Sequence, residues 1–137
     1  IDAFDYKGVT LQAIFQESIF VAPGVVCDVY IHPETGKRDL GIITIDAGKR
    51  TPRQKVLKGD QTIEGYLSGK GTLTITHIDG TQSVFEVNSE QEGFSHIVEV
   101  GEIMQWQSDK NEGLVVFEIC FPPYENGRYE NLAEDKL

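Results

Sequence analysis

Apolar and polar residues alternate at a period of two in the stretch 72–77. Leu73, Ile75 and His77 interleave with Thr72, Thr74 and Thr76, as in a strand with one face in a core and one in water. Similar β-rich runs occupy Val25–His32, Leu40–Asp46, Thr62–Leu67, Thr72–Ile78, Ser83–Val87 and Leu114–Phe121. Turn signals separate them, among them Pro33-Glu34-Thr35-Gly36, Asp46-Ala47-Gly48, Ser68-Gly69-Lys70-Gly71 and Asn111-Glu112-Gly113. Asp79-Gly80, flanked by alternating residues, predicts a tight hairpin. Leu11–Ile19 fits two patterns: Leu11, Ile14, Phe15 and Ile19 make a helical stripe, whereas Ile19-Phe20-Val21 begins like a strand. Strands at this spacing predict an all-β sandwich or barrel. With no repeat or linker, one domain is expected over 1–137, with a barrel at about 10–123 and a tail at 124–137. Ala133–Leu137 are expected to fray.

Composition narrows the classes of partner. The 137 residues, 39% of them hydrophobic, can build one core. Asp and Glu number 22 against 12 Lys and Arg, a net charge of -10. That balance argues against nucleic acid and anionic membranes as partners. The apolar runs, such as Gly113–Phe117, fall far short of the roughly 20 residues of a membrane span. The first residues lack the basic-then-apolar order of a signal peptide. Cys27 and Cys120 make no disulfide framework and read as buried thiols. A cytoplasmic setting is the expectation.

The stretch Ala47-Gly-Lys-Arg-Thr-Pro-Arg-Gln-Lys-Val-Leu-Lys-Gly-Asp-Gln-Thr-Ile-Glu-Gly-Tyr-Leu-Ser-Gly-Lys-Gly71 resembles the first motif of the cupin superfamily, with Gly48, Pro52, Gly69 and Gly71 in place. Gly93, Gly101 and Met104 match the spacing of the second motif. The resemblance implies a cupin-type jelly-roll barrel with a ligand in its interior. It also implies a metal site of two His and a Glu from the first motif and a His from the second. Here those positions are Lys55, Leu57, Thr62 and Met104, and the second motif's Pro is Glu99. None of the four is an ordinary ligand for a divalent metal in this setting. His32, His77 and His96 fall elsewhere and read as surface or structural residues. The expectation is a single-domain cupin like the sugar-epimerase members, with no metal and no cofactor.

If the old ligand positions face inward, strand alternation places Arg53, Lys55, Leu57, Thr62, Glu64, Tyr66, Glu102, Met104 and Trp106 in the lumen. Charges there need a partner or a ligand. Three readings stay open: a ligand anchor, a structural Lys55–Glu64 ion pair, or a one-residue slip that puts these charges in water. In the first, Arg53 and Lys55 hold a carboxylate or phosphate. Trp106 and Tyr66 offer flat faces, and Thr62 and Met104 complete the wall. If the barrel is an enzyme, the resemblance implies a metal-free sugar isomerase or epimerase, with Glu64 as base and Lys55 or Tyr66 as acid. A non-catalytic module for a small anionic or hydroxylated ligand, and a dimerising scaffold, are the alternatives. A homodimer through Leu11–Val21 is expected. Pro122-Pro123 should end the last strand, with Tyr124–Arg128 a turn and the tail over the barrel mouth or a partner.

Overall fold

The computed structural model describes residues 2–6, 9–34, 36, 38–58, 61–121 and 129–132. The chain runs through strands β1 (Asp2–Tyr6), β2 (Val9–Ala22), β3 (Val25–Ile31) and β4 (Arg38–Ile45). Then come β5 (Arg53–Val56), β6 (Gln61–Gly69), β7 (Gly71–Thr76) and β8 (Gln82–Val87). A single 3-10 turn at Ser89–Gln91 precedes β9 (Ser95–Val98), β10 (Ile103–Ser108), β11 (Leu114–Phe121) and β12 (Tyr129–Leu132). The six β-rich runs expected to be strands are β3, β4, β6, β7, β8 and β11. The ambiguous Leu11–Ile19 lies inside β2, because pairing with β1 and β3 overrides its helical stripe. Among the described residues no helix is long and apolar enough to cross a membrane.

The strands form two antiparallel sheets, ordered β1-β2-β3-β4-β11-β6-β9 and β12-β5-β10-β7-β8. From β4 onward the chain passes repeatedly between the two, which is the jelly-roll arrangement. Register fixes what faces the interior. Val25, Ile45 and Leu114 form one row across the large sheet, and Cys27, Ile43, Val116 and Tyr66 the next. Across the small sheet, Trp106 aligns with Leu73 and Phe85, and Met104 with Ile75. These rows meet as the main core. A smaller core of Ala13, Leu40, Ile63, Phe117 and Ile119 lies on the other face of the large sheet.

Two glycines matter to this geometry. At Gly65 a Cβ would fall 2.0 Å from Phe117 Cζ, so the bare backbone lets the ring lie across β6. At Gly69, φ is 90° and a Cβ would fall 2.0 Å from the Gly113 carbonyl oxygen, so only glycine passes there.

Tyr129–Leu132 falls within the tail expected at 124–137. It is instead the edge strand of the small sheet, with Tyr129 opposite Val56 and Leu132 opposite Arg53. Pro122, Pro123, the expected turn at 124–128 and the expected fraying at 133–137 lie outside the described residues.

Candidate functional site

Strand β11 places Leu114, Val116, Glu118 and Cys120 on one face by simple alternation. Register sets Glu118 opposite Glu64 of β6, and Glu64 opposite His96 of β9. One step along, Cys120 stands opposite Thr62, and Thr62 opposite Val98. Two carboxyl groups therefore sit side by side on the inner face of the large sheet.

Glu64 is 1% exposed. The Trp106 indole N–H donates to its Oε1 at 2.9 Å. Among the described residues no hydrogen-bond partner meets its Oε2, which lies on the side of the neighbouring Glu118 carboxyl. Burial pushes the Glu64 carboxyl well above the ordinary carboxylate range, and the neighbouring Glu118 pushes it further, against the opposing Trp106 hydrogen bond. Glu64 therefore keeps its proton to a higher pH than an isolated glutamate would.

Glu118 also lines a cavity of about 250 Å³ between the sheets. Ile19, Val21, Cys27, Val29 and Ile43 give it apolar walls. Thr51, Gln54, Cys120 and Tyr129 join Glu118 as its polar contributors. The Tyr129 hydroxyl lies 3.0 Å from Cys120 Sγ and 3.4 Å from Thr62 Oγ1. The Cys120 thiol points in turn at Glu118 Oε1, at 3.8 Å. Burial, then Glu118, hold the Tyr129 phenol protonated well above its ordinary range. A connected polar row thus runs from Tyr129 through Cys120 and Glu118 to Glu64 and Trp106.

No protein-family profile matches the chain, and no curated relative does. Solved structures do match. Drosophila melanogaster CENP-C, solved bound to CAL1, superposes with a TM-score of 0.59 at 14% identity, over 79% of this chain and 76% of that one. The capsular polysaccharide assembling protein CapF of Staphylococcus aureus gives a TM-score of 0.67 at 12% identity, over 88% and 34%. Bacillus subtilis oxalate decarboxylase, studied for its Mn(II) centres, gives 0.69 at 19%, over 85% and 30%. This chain has the cupin fold. It spans about a third of the CapF and oxalate decarboxylase chains.

The cupin metal positions do not assemble a donor set here. Lys55 lies opposite Ile103 and Glu130, whereas Gln54 lies opposite the buried Met104. Leu57 is an exposed apolar side chain, and Thr62 and Met104 are buried without acidic or imidazole character. Among the described residues no three His, Cys, Asp or Glu side chains could hold a metal ion.

The same register corrects the β5 part of the expected lumen. Gln54 and Val56 face inward, so Arg53 and Lys55 occupy the outer face of the small sheet. Lys55 is thus no partner of Glu64. The inward expectation depends on the spacing between β5 and β6, and one residue more or less between them inverts every side chain before it. Glu64, Thr62, Tyr66, Met104 and Trp106 do face inward and are buried. Trp106 offers its N–H to Glu64 rather than its face to a ligand. Tyr66 donates to the Gly69 carbonyl at 2.8 Å, and Met104 packs in the main core.

Sequence reasoning missed Glu118, Cys120, Tyr129, Gln54 and Thr51. Glu118 left a signal: it interrupts an otherwise apolar row of Leu114, Val116 and Cys120. Tyr129 left none, because a four-residue strand beyond two prolines carries no periodicity of its own.

Proposed function

We propose that the interior of this cupin barrel binds a small hydroxylated molecule, whose hydroxyl donates to the Glu64–Glu118 carboxyl pair. The observation that carries this reading is the buried Glu64, with its unpartnered Oε2, beside a second carboxyl on the cavity wall. An orphaned buried oxygen is costly unless a proton, a water or a ligand meets it.

The size of the site limits the ligand. A cavity of about 250 Å³ holds the volume of about eight waters at 30 Å³ each. That suits a single sugar or a short polyol better than a nucleotide sugar. Of the two ligand classes expected from sequence, the anionic one loses its support. The cations invoked for it, Arg53 and Lys55, face away from the cavity, and no Lys or Arg is among its described lining residues. Neutral hydroxy compounds and hydroxy-carbonyl compounds remain.

The same pair supports isomerase chemistry. One carboxylate can take a proton from the carbon beside a carbonyl, and a protonated neighbour can return one to the adjacent position. Glu118, at the cavity wall, is the base in this scheme and Glu64 the proton reservoir.

A thermal-shift panel of neutral polyols and hydroxy-carbonyl compounds tests the site. A ligand at about 100 times its Kd adds about 2.7 kcal/mol of stability, which raises Tm by several degrees. Glu118→Gln should remove the shift and Lys55→Ala should leave it. A panel in which only anionic sugars shift the protein, and Lys55→Ala abolishes the shift, would overturn the assignment. Solvent deuterium appearing on a carbon of the hit, read by NMR, identifies turnover; its absence identifies a binder.

A further inference from the structure

At the end of the barrel formed by the β7–β8 hairpin and the loop before β10, three side chains connect in line. His77 follows β7, and its Nε2 lies 2.6 Å from the Ser83 Oγ of β8. Its Nδ1 meets Glu102 Oε2. The other oxygen of Glu102 accepts the Glu99 backbone N–H at 2.9 Å. Glu102 is buried at 8% exposure and held from both sides. The His77 side chain is 31% exposed, so the row opens towards solvent as it leaves Glu102.

The order of these atoms matters. A carboxylate on Nδ1 holds the ring so that Nε2 presents its lone pair, and that lone pair faces a hydroxyl. The hairpin does not need this row to close. His77 N–H already donates to Thr81 O, Gly80 N–H to His77 O, and Asp79 caps the Thr81 amide. None of the three residues lines the cavity at Glu118.

We propose that Ser83, His77 and Glu102 form a nucleophilic site that transfers acyl groups from activated esters or thioesters to water. Ser83 and His77 are its catalytic residues, and Glu102 is a positioning residue. The edge of the small sheet supplies the donors for the developing oxyanion. β8 is an edge strand, and the His77–Thr81 bond sets the ladder so that Ser83 pairs towards β7. The amides of Gln82 and Val84 on either side of it then point to the open edge. Of the two, the N–H of Val84 belongs to the residue that follows the nucleophile. Exposed apolar side chains near the site favour an apolar acyl group. Ile78 is 76% exposed and packs beside Gly101, where a Cβ would fall 3.2 Å from its Cδ1, and Val100 adjoins it.

In the first step Ser83 Oγ bonds to the carbonyl carbon and its proton passes to His77 Nε2. The bond from that carbon to the leaving oxygen or sulfur breaks, and the leaving group takes the proton from His77. Water then attacks the acyl-serine and gives a proton to His77, which returns it to Ser83 Oγ as the acid departs. The net change is ester plus water to acid plus alcohol, or thioester plus water to acid plus thiol.

A fluorophosphonate probe, followed by peptide mass spectrometry, reads this site independently of any ligand in the barrel. Nucleophilic Ser83 displaces fluoride, so one adduct per chain at Ser83 is expected. His77→Gln and Glu102→Gln should slow labelling by about tenfold or more. Circular dichroism would confirm that each variant is folded. Ser83→Cys provides a second readout: its thiol should react with iodoacetamide at pH 6 at least about tenfold faster than Cys27 or Cys120 of the same chain. Absence of an adduct at Ser83, with an ordinary thiol in Ser83→Cys, would overturn the proposal. So would equal labelling in wild type and folded His77→Gln.

Discussion

A carboxyl group that water cannot reach keeps its proton to a higher pH than one at the surface, and Glu64 is such a group. Its folded state titrates above the ordinary value of 4.5. The stability it contributes is therefore complete below that pH and is lost as pH rises through the folded value. Glu64→Gln keeps an acceptor for Trp106 and removes the titration. Urea unfolding from pH 5 to 9 should show the variant gaining on wild type by up to about 1.4 kcal/mol per pH unit within that window. A constant difference across the range would mean that Glu64 holds no extra proton. Sequence alone singled out Glu64 and Trp106, because a glutamate and an indole at inward strand positions are conspicuous. It paired Glu64 with Lys55 rather than Glu118, because pairing across strands depends on register and register is not written in any one strand.

Strands show the same division between what is local and what is not. Leu114–Phe121 is legible in full, since eight residues rich in β-branched and aromatic side chains and a glycine before them define a strand from its own letters. β5 and β12, four residues each, have too few positions to declare a period; β5 is fixed by pairing with β10, and β12 by pairing with β5. The β6–β11 pair carries a sharper requirement. Its Gly65 accommodates the ring of Phe117, so Gly65→Ala should cost about 1–3 kcal/mol by overpacking. Combined with Phe117→Leu, the total should fall below the sum of the single costs. Chemical denaturation of the four proteins measures this, and strict additivity would show that the two residues do not touch.

The whole molecule presents an acidic exterior and a barrel with its own internal acid. Purified without chelator, it is expected to contain no stoichiometric zinc, iron, nickel or manganese, because Lys55, Leu57, Thr62 and Met104 stand where cupin ligands would. About one equivalent of metal by elemental analysis would refute this. For the homodimer expected from sequence, β2 and β3 offer an apolar surface, where Phe20 is 73% exposed and pairs with the exposed Val26. Light scattering at micromolar concentration should give twice the chain mass, and Phe20→Asp should reduce it to one; a monomeric wild type would reject the dimer. One consequence concerns the order in which the barrel is made. Gln54 bonds Asn131 across 77 residues, and Tyr129 of that same last described strand lines the cavity. A nascent chain on the ribosome therefore carries β5, Glu64 and Glu118 well before it carries the strand that finishes their enclosure. Recognition by the interior should begin abruptly once β12 has been made, and stalled chains that stop short of Tyr129 should fold much of the sandwich while remaining blind to its ligand.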